Sequence, residues 1–359
     1  MLVNFIGIRG VPARYSGFET CVENVGARMA EAGHEVTVFC RGTPEGQPRS
    51  HRGMRLRYLP AFPGKHSETI SHTFLTSLLL GPGAVVCMGV GNAPVVRLLE
   101  LRGWRTVWNV DGADWARAKW GRGARAYLSW CERRAAGSRS LLVADAETVR
   151  RHYVERHGRA TELVSYGAEA PAATGTSVLE DLGLRPDSYA LFVGRLEPEN
   201  GAHDFLAAAA LAGPGLTPVV TGGAPHARAY IQRLEAMAPA GTVFTGFRFG
   251  DDYQQLRSHA GVFVLAATVG GTHPVLLEQM AAGRCVLARD LPEHREVLGD
   301  TGLYWTSPAE LATLLTRVTA EPALRGRLGA DARARQAELY DWDRVTAEYI
   351  ELCRRSLQP

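Results

Sequence analysis

The sequence predicts an α/β fold in which two Rossmann-like domains face each other across a cleft and a helical C-terminal tail follows. Short apolar runs of strand length alternate with longer amphipathic segments, which is typical of parallel α/β architecture. The alternation breaks once near the middle of the chain and then restarts. With 359 residues, each of two domains has enough chain to bury its own core.

Strands are predicted in the first half at Leu2–Ile8, Glu35–Phe39, Arg55–Leu59, Ala84–Met88, Arg105–Val110, Ser140–Val143 and Glu162–Ser165. The second half repeats the pattern at Tyr189–Val193, Thr217–Thr221, Thr242–Thr245, Gly261–Leu265, Arg284–Ala288 and Gly302–Trp305. Segments of helical period separate most of these strands, as in Arg122–Ala136.

The break in the pattern, Ala168–Pro186, is rich in Ala, Pro, Gly and Thr, so we expect the domain linker there. We therefore expect a first domain at 1–169, a second at 170–340, and a final helix at 341–359 that packs back toward the first domain. The tail from Pro308 to Leu357 is predicted to be helical, with breaks at Pro322 and near Asp341.

The composition is that of a soluble globular enzyme, with 46% hydrophobic residues, 21% charged residues and a net charge of +3. No apolar run reaches the about 18 residues that a membrane-spanning helix needs. The six cysteines are scattered without metal-ligand or redox spacing, which favours a reducing, cytoplasmic location. No nucleic-acid-binding module is recognisable, so no nucleic-acid partner is expected.

A glycine-rich segment, GIRGVPARYSGFE, follows the first predicted strand and contains Gly7, Gly10 and Gly17. Open parallel sheets bind ligands at the carboxyl ends of their strands, where glycines let backbone N–H groups approach closely. The spacing is not G-x-G-x-x-G, and no acidic residue ends the second strand, which argues against an NAD enzyme. We favour a ligand loop over a connector that binds nothing.

Arg195 immediately follows a predicted strand in the segment VGRLEPENG. An arginine at the carboxyl end of a strand is well placed to bind a diphosphate bidentately. The alternative is a surface ion pair with Glu197 or Glu199.

The segment VGGTHPVLLEQMAAG predicts a glycine turn that leads into a helix. Thr272 is expected to cap this helix, with Pro274 in its first turn. The N–H groups of Gly271, Thr272 and His273 would then point from the positive helix end toward a phosphate. Glu278, one turn further on, would accept hydrogen bonds from a ribose. The alternative is a capped helix with a solvated glutamate.

A further segment, Thr245-Gly246-Phe247-Arg248, follows another predicted strand. Backbone groups there would read the edge of a pyrimidine, although a glycine turn explains the segment equally well.

Nearly the whole chain resembles the retaining family-4 glycosyltransferases of the GT-B fold, and within them the rhamnosyltransferase branch of bacterial surface-polysaccharide synthesis. The resemblance rests on GIRGVPARYSGFET near the start, DGADWARAKW at 111–120 and GGTHPVLLE at 270–278. It implies that the second domain binds a nucleotide-diphosphate sugar and that the first binds the acceptor. It also implies retention of configuration without a metal or another cofactor.

The resemblance assigns Arg195 and the turn Gly271–His273 to the diphosphate and Glu278 to the ribose. We assign the remaining roles from the places of the residues at strand ends or within the shared motifs. The catalytic residues would be Arg195 and Asp111. The donor-binding residues would be Gly17, Arg248, Gly271, Thr272, His273 and Glu278, and the acceptor-binding residues would be Arg14, Tyr15, Glu19 and Asn92. The donor would be a dTDP- or UDP-sugar, with rhamnose suggested by the branch, and the acceptor a glycan, a lipid-linked molecule or a small molecule.

The chain departs from the family pattern at two positions. Many family-4 enzymes have a lysine five residues after the arginine, where this chain has Asn200. Many also have two glutamates eight positions apart, where this chain has Gly270 and Glu278. Arg248 is a candidate to replace the missing positive charge.

Several of these residues have simpler structural explanations. Asp111 can belong to an Asp-Gly turn, and Glu19 can favour the start of its helix. Asn92 is the weakest acceptor candidate. The sequence Asp341-Trp342-Asp343 mimics a metal-binding D-x-D, but a helix must start there, so we prefer an N-cap and expect no metal.

The segment Arg117–Arg139 concentrates arginines and aromatic residues. It is either a partly buried helix with a solvated charged face or a patch that rests on anionic lipid at the inner face of the cell membrane. Two rival functions are a sugar-nucleotide epimerase and a sugar-nucleotide-binding protein without catalysis. The latter is suggested by Asn200 and Gly270.

Overall fold

The structure is a computed structural model that describes residues 1–13, 16–62, 64, 67–110, 121–171, 175–224 and 227–358. The chain divides into two compact units, Met1–Gly167 with Trp342–Pro359 and Ala168–Asp341. The predictions for Arg14, Tyr15 and Asp111 lie outside the described residues.

The first unit is built on a sheet whose strands are β1 (Leu2–Ile6), β2 (Glu35–Arg41), β3 (Ser50–His51), β4 (Met54–Leu59), β5 (Ala84–Met88), β6 (Val107–Asn109), β7 (Leu141–Ala144) and β8 (Glu162–Leu163). Over the described ranges the strand order is β3-β4-β2-β1-β5-β6-β7-β8, and each pair is parallel except β3 with β4. Its helices are α1 (Gly17–Glu31), α2 (Ser67–Leu78), α3 (Ala93–Leu101), α4 (Arg122–Ala136) and α5 (Glu147–His157).

The second unit has the helices α6 (Ser177–Asp181), α7 (Ala202–Ala212), α8 (Arg228–Met237), α9 (Gly250–His259), α10 (Pro274–Ala281), α11 (Pro292–Leu298), α12 (Pro308–Ala320) and α13 (Pro322–Leu339). Its strands are β9 (Tyr189–Val193), β10 (Thr217–Thr221), β11 (Val243–Gly246), β12 (Val262–Leu265), β13 (Cys285–Arg289) and β14 (Leu303–Trp305). They pair in parallel in the order β11-β10-β9-β12-β13-β14, which is the strand order of a Rossmann fold.

Both sheets have continuous apolar central strands because helices cover both of their faces. All five residues of β5 are buried, and so are all four of β12. The core of the second unit is mainly aliphatic, and it includes Phe192 stacked on Phe205 with ring centroids 6.2 Å apart. The two alternating apolar patterns in the sequence therefore correspond to two separate cores.

The last helix, α14 (Trp342–Ser356), belongs to the first unit and packs on α1. The ring of Trp342 lies so close to Gly167 that a Cβ there would be 2.7 Å from it. Arg28 of α1 pairs with Asp343 of this helix, its Nε donating to Oδ1 at 2.8 Å. Tyr349 is buried and accepts a 3.0 Å hydrogen bond from Asn109 Nδ2.

The segment predicted as a linker is partly structured. Ala168 already belongs to the second unit, and its N–H donates to the Tyr340 carbonyl at 3.0 Å. Within the segment, α6 buries Val178 and Leu179. The composition indicated a loop, but this apolar pair provides enough buried surface to fix a short helix. None of the described helices is both long and apolar enough to cross a membrane.

Candidate functional site

The carboxyl edge of the second sheet contains a topological switch point between β9 and β12. From β9 the chain continues to β10 and β11 on one side, whereas from β12 it continues to β13 and β14 on the other. Loops that leave neighbouring strands in opposite directions open a crevice, which is where open α/β sheets bind ligands. The loop after β9 carries Arg195, and the loop after β12 leads to the start of α10.

These two loops are joined by hydrogen bonds. Both the N–H and the hydroxyl of Thr268 donate to the carbonyl of Glu199, at 2.9 and 3.0 Å. Gly201 has a φ of +71°, and a Cβ there would lie 2.3 Å from the carbonyl oxygen of Ala266. Only glycine allows this conformation and this close approach, so it fixes the two loops side by side.

Arg195 is partly exposed, and its charge is only loosely paired. Its Nη1 is 3.9 Å from Glu197 Oε2, and 29% of its side chain is exposed. That separation exceeds hydrogen-bonding distance, and the guanidinium donates no hydrogen bond within the described part of the chain. The ion pair weighed from the sequence therefore exists, but it leaves the N–H groups able to bind an anion.

Asn200, at the position where family members have a lysine, is part of the same loop. Its Nδ2 donates a 2.7 Å hydrogen bond to the carbonyl oxygen of Arg195. The N–H of Glu197 donates to that oxygen as well, at 2.8 Å. The amide of Asn200 thus holds the main chain of Arg195.

The helix α10 begins one residue later than the sequence suggested. His273, not Thr272, is its N-cap, and its side chain makes no capping hydrogen bond. The reason is Pro274 at the first helical position, because a residue before proline prefers an extended conformation. The N–H groups of Gly271 and Val275 donate to no atom of the described residues, and they lie at the positive end of the helix dipole.

Gly270, at the position of the missing glutamate, packs against the imidazole of His273. It has a φ of +155°, and a Cβ there would lie 2.6 Å from Cε1 and 2.7 Å from Nε2 of that ring. The ring in turn contacts His294 edge-on, with centroids 5.2 Å apart. The volume that a side chain at 270 would need is therefore occupied by His273.

His294 is a fixed neutral partner for His273, and sequence reasoning missed it because no local motif marks it. It is buried, and its Nδ1 lies 2.8 Å from the carbonyl oxygen of Arg289. Burial lowers the pKa of His294 to about 4, so the ring is uncharged at neutral pH.

Glu278 is held by Tyr253 and is not the solvated glutamate of the alternative interpretation. The hydroxyl of Tyr253 donates a 2.5 Å hydrogen bond to Glu278 Oε2. Burial raises the pKa of Glu278, while the nearby Arg257 and the Tyr253 hydrogen bond act in the opposite direction. Tyr253 comes from α9, so its contact with α10 could not be read from the sequence.

Arg248 lies on the loop after β11, two strands away from β9 and thus about 10 Å to the side. Its Nη1 donates a 2.9 Å hydrogen bond to Asp252 Oδ2. This pairing offsets the charge that was expected to replace the lysine. Beside it, Phe247 and Phe249 stack with centroids 5.9 Å apart, and both are about half exposed.

Two of the residues predicted to contact the acceptor, Glu19 and Asn92, lie in the described part of the first unit, and both are buried. Glu19 is 2% exposed, and its charge helps to offset the lowering of the Arg41 pKa by burial. Asn92 is fully buried, and its Nδ2 donates a 2.7 Å hydrogen bond to the Met88 carbonyl. Through this hydrogen bond Asn92 supports the loop after β5. Gly17 is the first residue of α1.

A cavity of about 210 Å³ lies at the opposite edge of the second sheet. It is bounded by the amino ends of β9 and β10, by α7 and by α12, and its lining includes Ala190, Gly213, Pro218 and Leu315. This lining is mainly apolar, and it is remote from the switch point.

Comparisons with known proteins agree with this architecture. Residues 16–167 match the model of the glycosyl transferase 4-like domain, and residues 187–321 match that of the glycosyl transferases group 1. The alpha-maltose-1-phosphate synthase of Mycolicibacterium smegmatis is 28% identical over 79% of this chain and 78% of that protein. The D-inositol 3-phosphate glycosyltransferase of Streptomyces bingchenggensis is 28% identical over 63% of this chain and 55% of that protein.

Two solved structures show the same fold. Sucrose-phosphate synthase from Thermosynechococcus elongatus superposes with a TM-score of 0.81 at 19% identity, covering 99% of this chain and 98% of that chain. The Anabaena protein HepE, in complex with UDP-glucose, gives a TM-score of 0.78 at 18% identity, covering 98% of each chain. With a 4-like domain followed by a group 1 domain, this chain belongs to the glycosyltransferases of the GT-B fold, family 4.

Proposed function

We propose that this protein transfers a sugar from a UDP- or dTDP-sugar to an acceptor with retention of configuration. The observation that carries the proposal is the placement of Arg195 and of the N-terminus of α10 on the loops of the adjacent strands β9 and β12. A guanidinium and a helix N-terminus at one switch point form a site for an anion. The UDP-glucose complex of HepE supports a nucleotide-sugar ligand for this fold.

In this proposal the diphosphate lies between Arg195 and the N–H groups of Gly271 and Val275. Glu278 then accepts hydrogen bonds from the ribose hydroxyls, with Tyr253 fixing the carboxylate. Thr272 and His273 belong to the same turn, and the His273 ring fills the space beside Gly270, the position at which many family members have a glutamate. Gly17 and Arg248 are proposed as further donor-binding residues.

The chemistry follows from where charge develops. Breaking the sugar–phosphate bond places negative charge on the leaving diphosphate, and donors fixed in advance at that position lower the barrier by about 3–4 kcal/mol each. The departing phosphate oxygen takes the proton of the acceptor hydroxyl on the same face, which gives retention without a separate base or a metal. Asp111, outside the described residues, would bind a donor hydroxyl or stabilise the cationic sugar.

The motifs shared with the rhamnosyltransferase branch support rhamnose as the transferred sugar. Arg14 and Tyr15, which are also outside the described residues, are assigned to the acceptor by that resemblance. The acceptor is a glycan, a lipid-linked molecule or a small molecule, and the reaction takes place in the cytoplasm.

We further propose that α4 rests on anionic lipid. The exposed arginines 122, 125, 133 and 134 lie on one side of this helix, and its acidic residue, Glu132, is buried. Trp130 lies among them, with the guanidinium of Arg134 5.3 Å from its ring centroid. Arginines that surround an aromatic side chain suit a surface of anionic headgroups. Vesicles with and without anionic lipid, and an Arg122→Gln/Arg125→Gln variant, test this contact by co-sedimentation.

The experiment for the main proposal is an incubation of the protein with UDP-glucose, dTDP-glucose and dTDP-rhamnose, with and without sugar acceptors and with a chelator present. Release of nucleoside diphosphate together with an α-linked or otherwise retained product, observed by NMR, is the expected result. Complete loss of turnover with chelator, restored by manganese, would contradict a metal-free reaction. Isomerised donor without transfer would indicate an epimerase, and binding of donors without turnover would indicate a silent binding protein.

A further inference from the structure

Three side chains of the kinds that bind metal ions lie close together in the first unit, away from the loops at the carboxyl ends of its strands. Glu132 of α4 is buried, with 4% of its side chain exposed, and its Oε1 lies 3.0 Å from His152 Nε2 and 2.7 Å from His157 Nε2. Both histidines come from α5, and their side chains are 27% and 11% exposed. The three ligand atoms lie within 4.8 Å of one another. The cluster therefore has one rigid, buried carboxylate and two imidazoles that solvent can reach.

The geometry is close to that of a zinc site. Zn²⁺ binds imidazole nitrogens and carboxylate oxygens at about 2.0–2.2 Å, so that tetrahedral ligand atoms are about 3.3 Å apart. The two nitrogen–oxygen distances in the cluster are 2.7 and 3.0 Å. Each nitrogen–oxygen pair therefore has to separate by a few tenths of an ångström to admit the ion, while the two imidazole nitrogens lie within 4.8 Å of each other. Water can take a fourth position on the exposed side.

The hydrogen-bonded state of the cluster has an unusual requirement. If both imidazoles donate to Glu132 Oε1, each must have its proton on Nε2, and one oxygen must accept both bonds. Arg156 Nε is 3.8 Å from the same oxygen, and 46% of its side chain is exposed. Since this arginine lies toward solvent, it can move aside when a cation supplies the positive charge. Arg156 therefore competes with the ion for Glu132 Oε1.

The spacing of these three residues in the sequence does not match a known metal-binding motif. Glu132 precedes His152 by 20 residues, on a different helix, and His157 follows five residues later. Only the packing of α4 against α5 brings the three side chains together. The sequence led us to expect no metal, and a zinc ion bound at this cluster would correct that expectation.

We propose that Glu132, His152 and His157 form a binding site for Zn²⁺ that ties α4 to α5. Two imidazoles and one carboxylate suit zinc better than Mg²⁺ or Ca²⁺, which prefer oxygen ligands. An imidazole binds zinc only through a ring nitrogen that carries no proton, so zinc binding should weaken as the pH falls. The proposal does not depend on the donor or on glycosyl transfer.

The test is isothermal titration of ZnCl₂ into the tag-free full chain after treatment with EDTA, at two pH values. One equivalent of zinc should bind and should raise the melting temperature, whereas Mg²⁺ should do neither. Glu132→Gln and His157→Gln should each weaken zinc binding by more than about 10-fold and abolish the thermal shift. All six cysteines are buried, so they do not offer a competing surface thiol.

A matched control is available in the same unit. His51 Nε2 and Glu23 Oε1 form a histidine–glutamate pair at 2.6 Å, and no third ligand is found near it among the described residues. His51→Gln should leave zinc binding unchanged. If Glu132→Gln does not fold, His152→Gln, whose ring is more exposed than that of His157, provides the comparison. Absence of zinc binding to the wild type, or equal binding by the cluster variants, would overturn the proposal.

Discussion

The side-chain amide of Asn200 donates a 2.7 Å hydrogen bond to the carbonyl oxygen of Arg195. The residue at the lysine position of the family therefore stabilises the main chain of the arginine. A neutral hydrogen bond of this kind contributes about 1 kcal/mol, or roughly a 5-fold change in an equilibrium. We expect Asn200→Ala to raise the KM for the donor by about this factor, because the Arg195 loop becomes less well fixed. Steady-state kinetics with varied donor concentration measure the effect.

The matched variant Asn200→Lys adds a positive charge but removes the hydrogen bond to Arg195. We expect it to bind the donor no better than Asn200→Ala. Donor binding tighter than that of the wild type would instead show that position 200 can contact the diphosphate directly.

Arg195 and Arg248 should differ in their importance for the reaction. Arg195 is only loosely paired with Glu197, whereas Arg248 is hydrogen-bonded to Asp252 and lies two strands from β9. If Arg195 stabilises the leaving diphosphate, Arg195→Ala should lower kcat by about 10²–10³-fold. Arg248→Ala should have a much smaller effect on kcat, and Arg233→Ala, on an exposed position of α8, should have none.

The comparison of these three variants is decisive for the donor site. An equal loss of kcat in the Arg195 and Arg248 variants would move the charge-stabilising role away from the β9 loop. Circular dichroism of each variant establishes that the second unit remains folded.

Gly270 and His273 should behave as a coupled pair. Gly270→Glu places a side chain at a φ of +155° and directly against the His273 ring, so we expect a loss of about 1–3 kcal/mol in the free energy of unfolding. Gly270→Glu combined with His273→Gly removes the collision but not the backbone strain, so part of the stability should return. Denaturant unfolding of both variants and of His273→Gly completes a double-mutant cycle.

The cycle also has a functional readout. If His273 occupies the position of the missing glutamate, the double variant should change the relative kcat/KM for different donor sugars more than either single variant. Additive effects on both stability and donor preference would contradict this coupling.

The sequence was sufficient for elements whose signal is local. The strands Ala84–Met88 and Tyr189–Val193 have the predicted bounds because each is an uninterrupted apolar run between turn residues. It was insufficient for β3, an antiparallel edge strand of two residues, Ser50–His51, whose pairing with β4 depends on a turn rather than on an apolar pattern.

The same distinction holds at the site. Arg195, Gly271 and Glu278 stand next to strand ends or helix starts, so their positions could be read from the chain. Tyr253 and His294 could not, because each reaches the site from a helix that the fold alone brings to α10. The acceptor-binding role of Asn92 stays a prediction. A strand can be followed either by a residue that contacts a ligand or by a buried residue that supports the turn, and Asn92 is buried.

The ionised carboxylate of Glu278 should lower the free energy of unfolding, and it should be needed for donor binding. Burial raises the pKa of its carboxyl above the unfolded value, so its contribution to stability is present at low pH and is lost as the pH rises through the folded pKa. Glu278→Gln, which carries no charge, should therefore raise the melting temperature at neutral pH and weaken donor binding.

For the wild type, the KM for the donor should rise as the pH falls through this raised pKa, because the ribose hydroxyls require the ionised form. Tyr253→Phe removes a hydrogen bond that favours ionisation, so the acid limb should move to higher pH. A fall in the melting temperature of Glu278→Gln at neutral pH, or an acid limb unchanged in Tyr253→Phe, would show that this carboxylate serves the fold and not the donor.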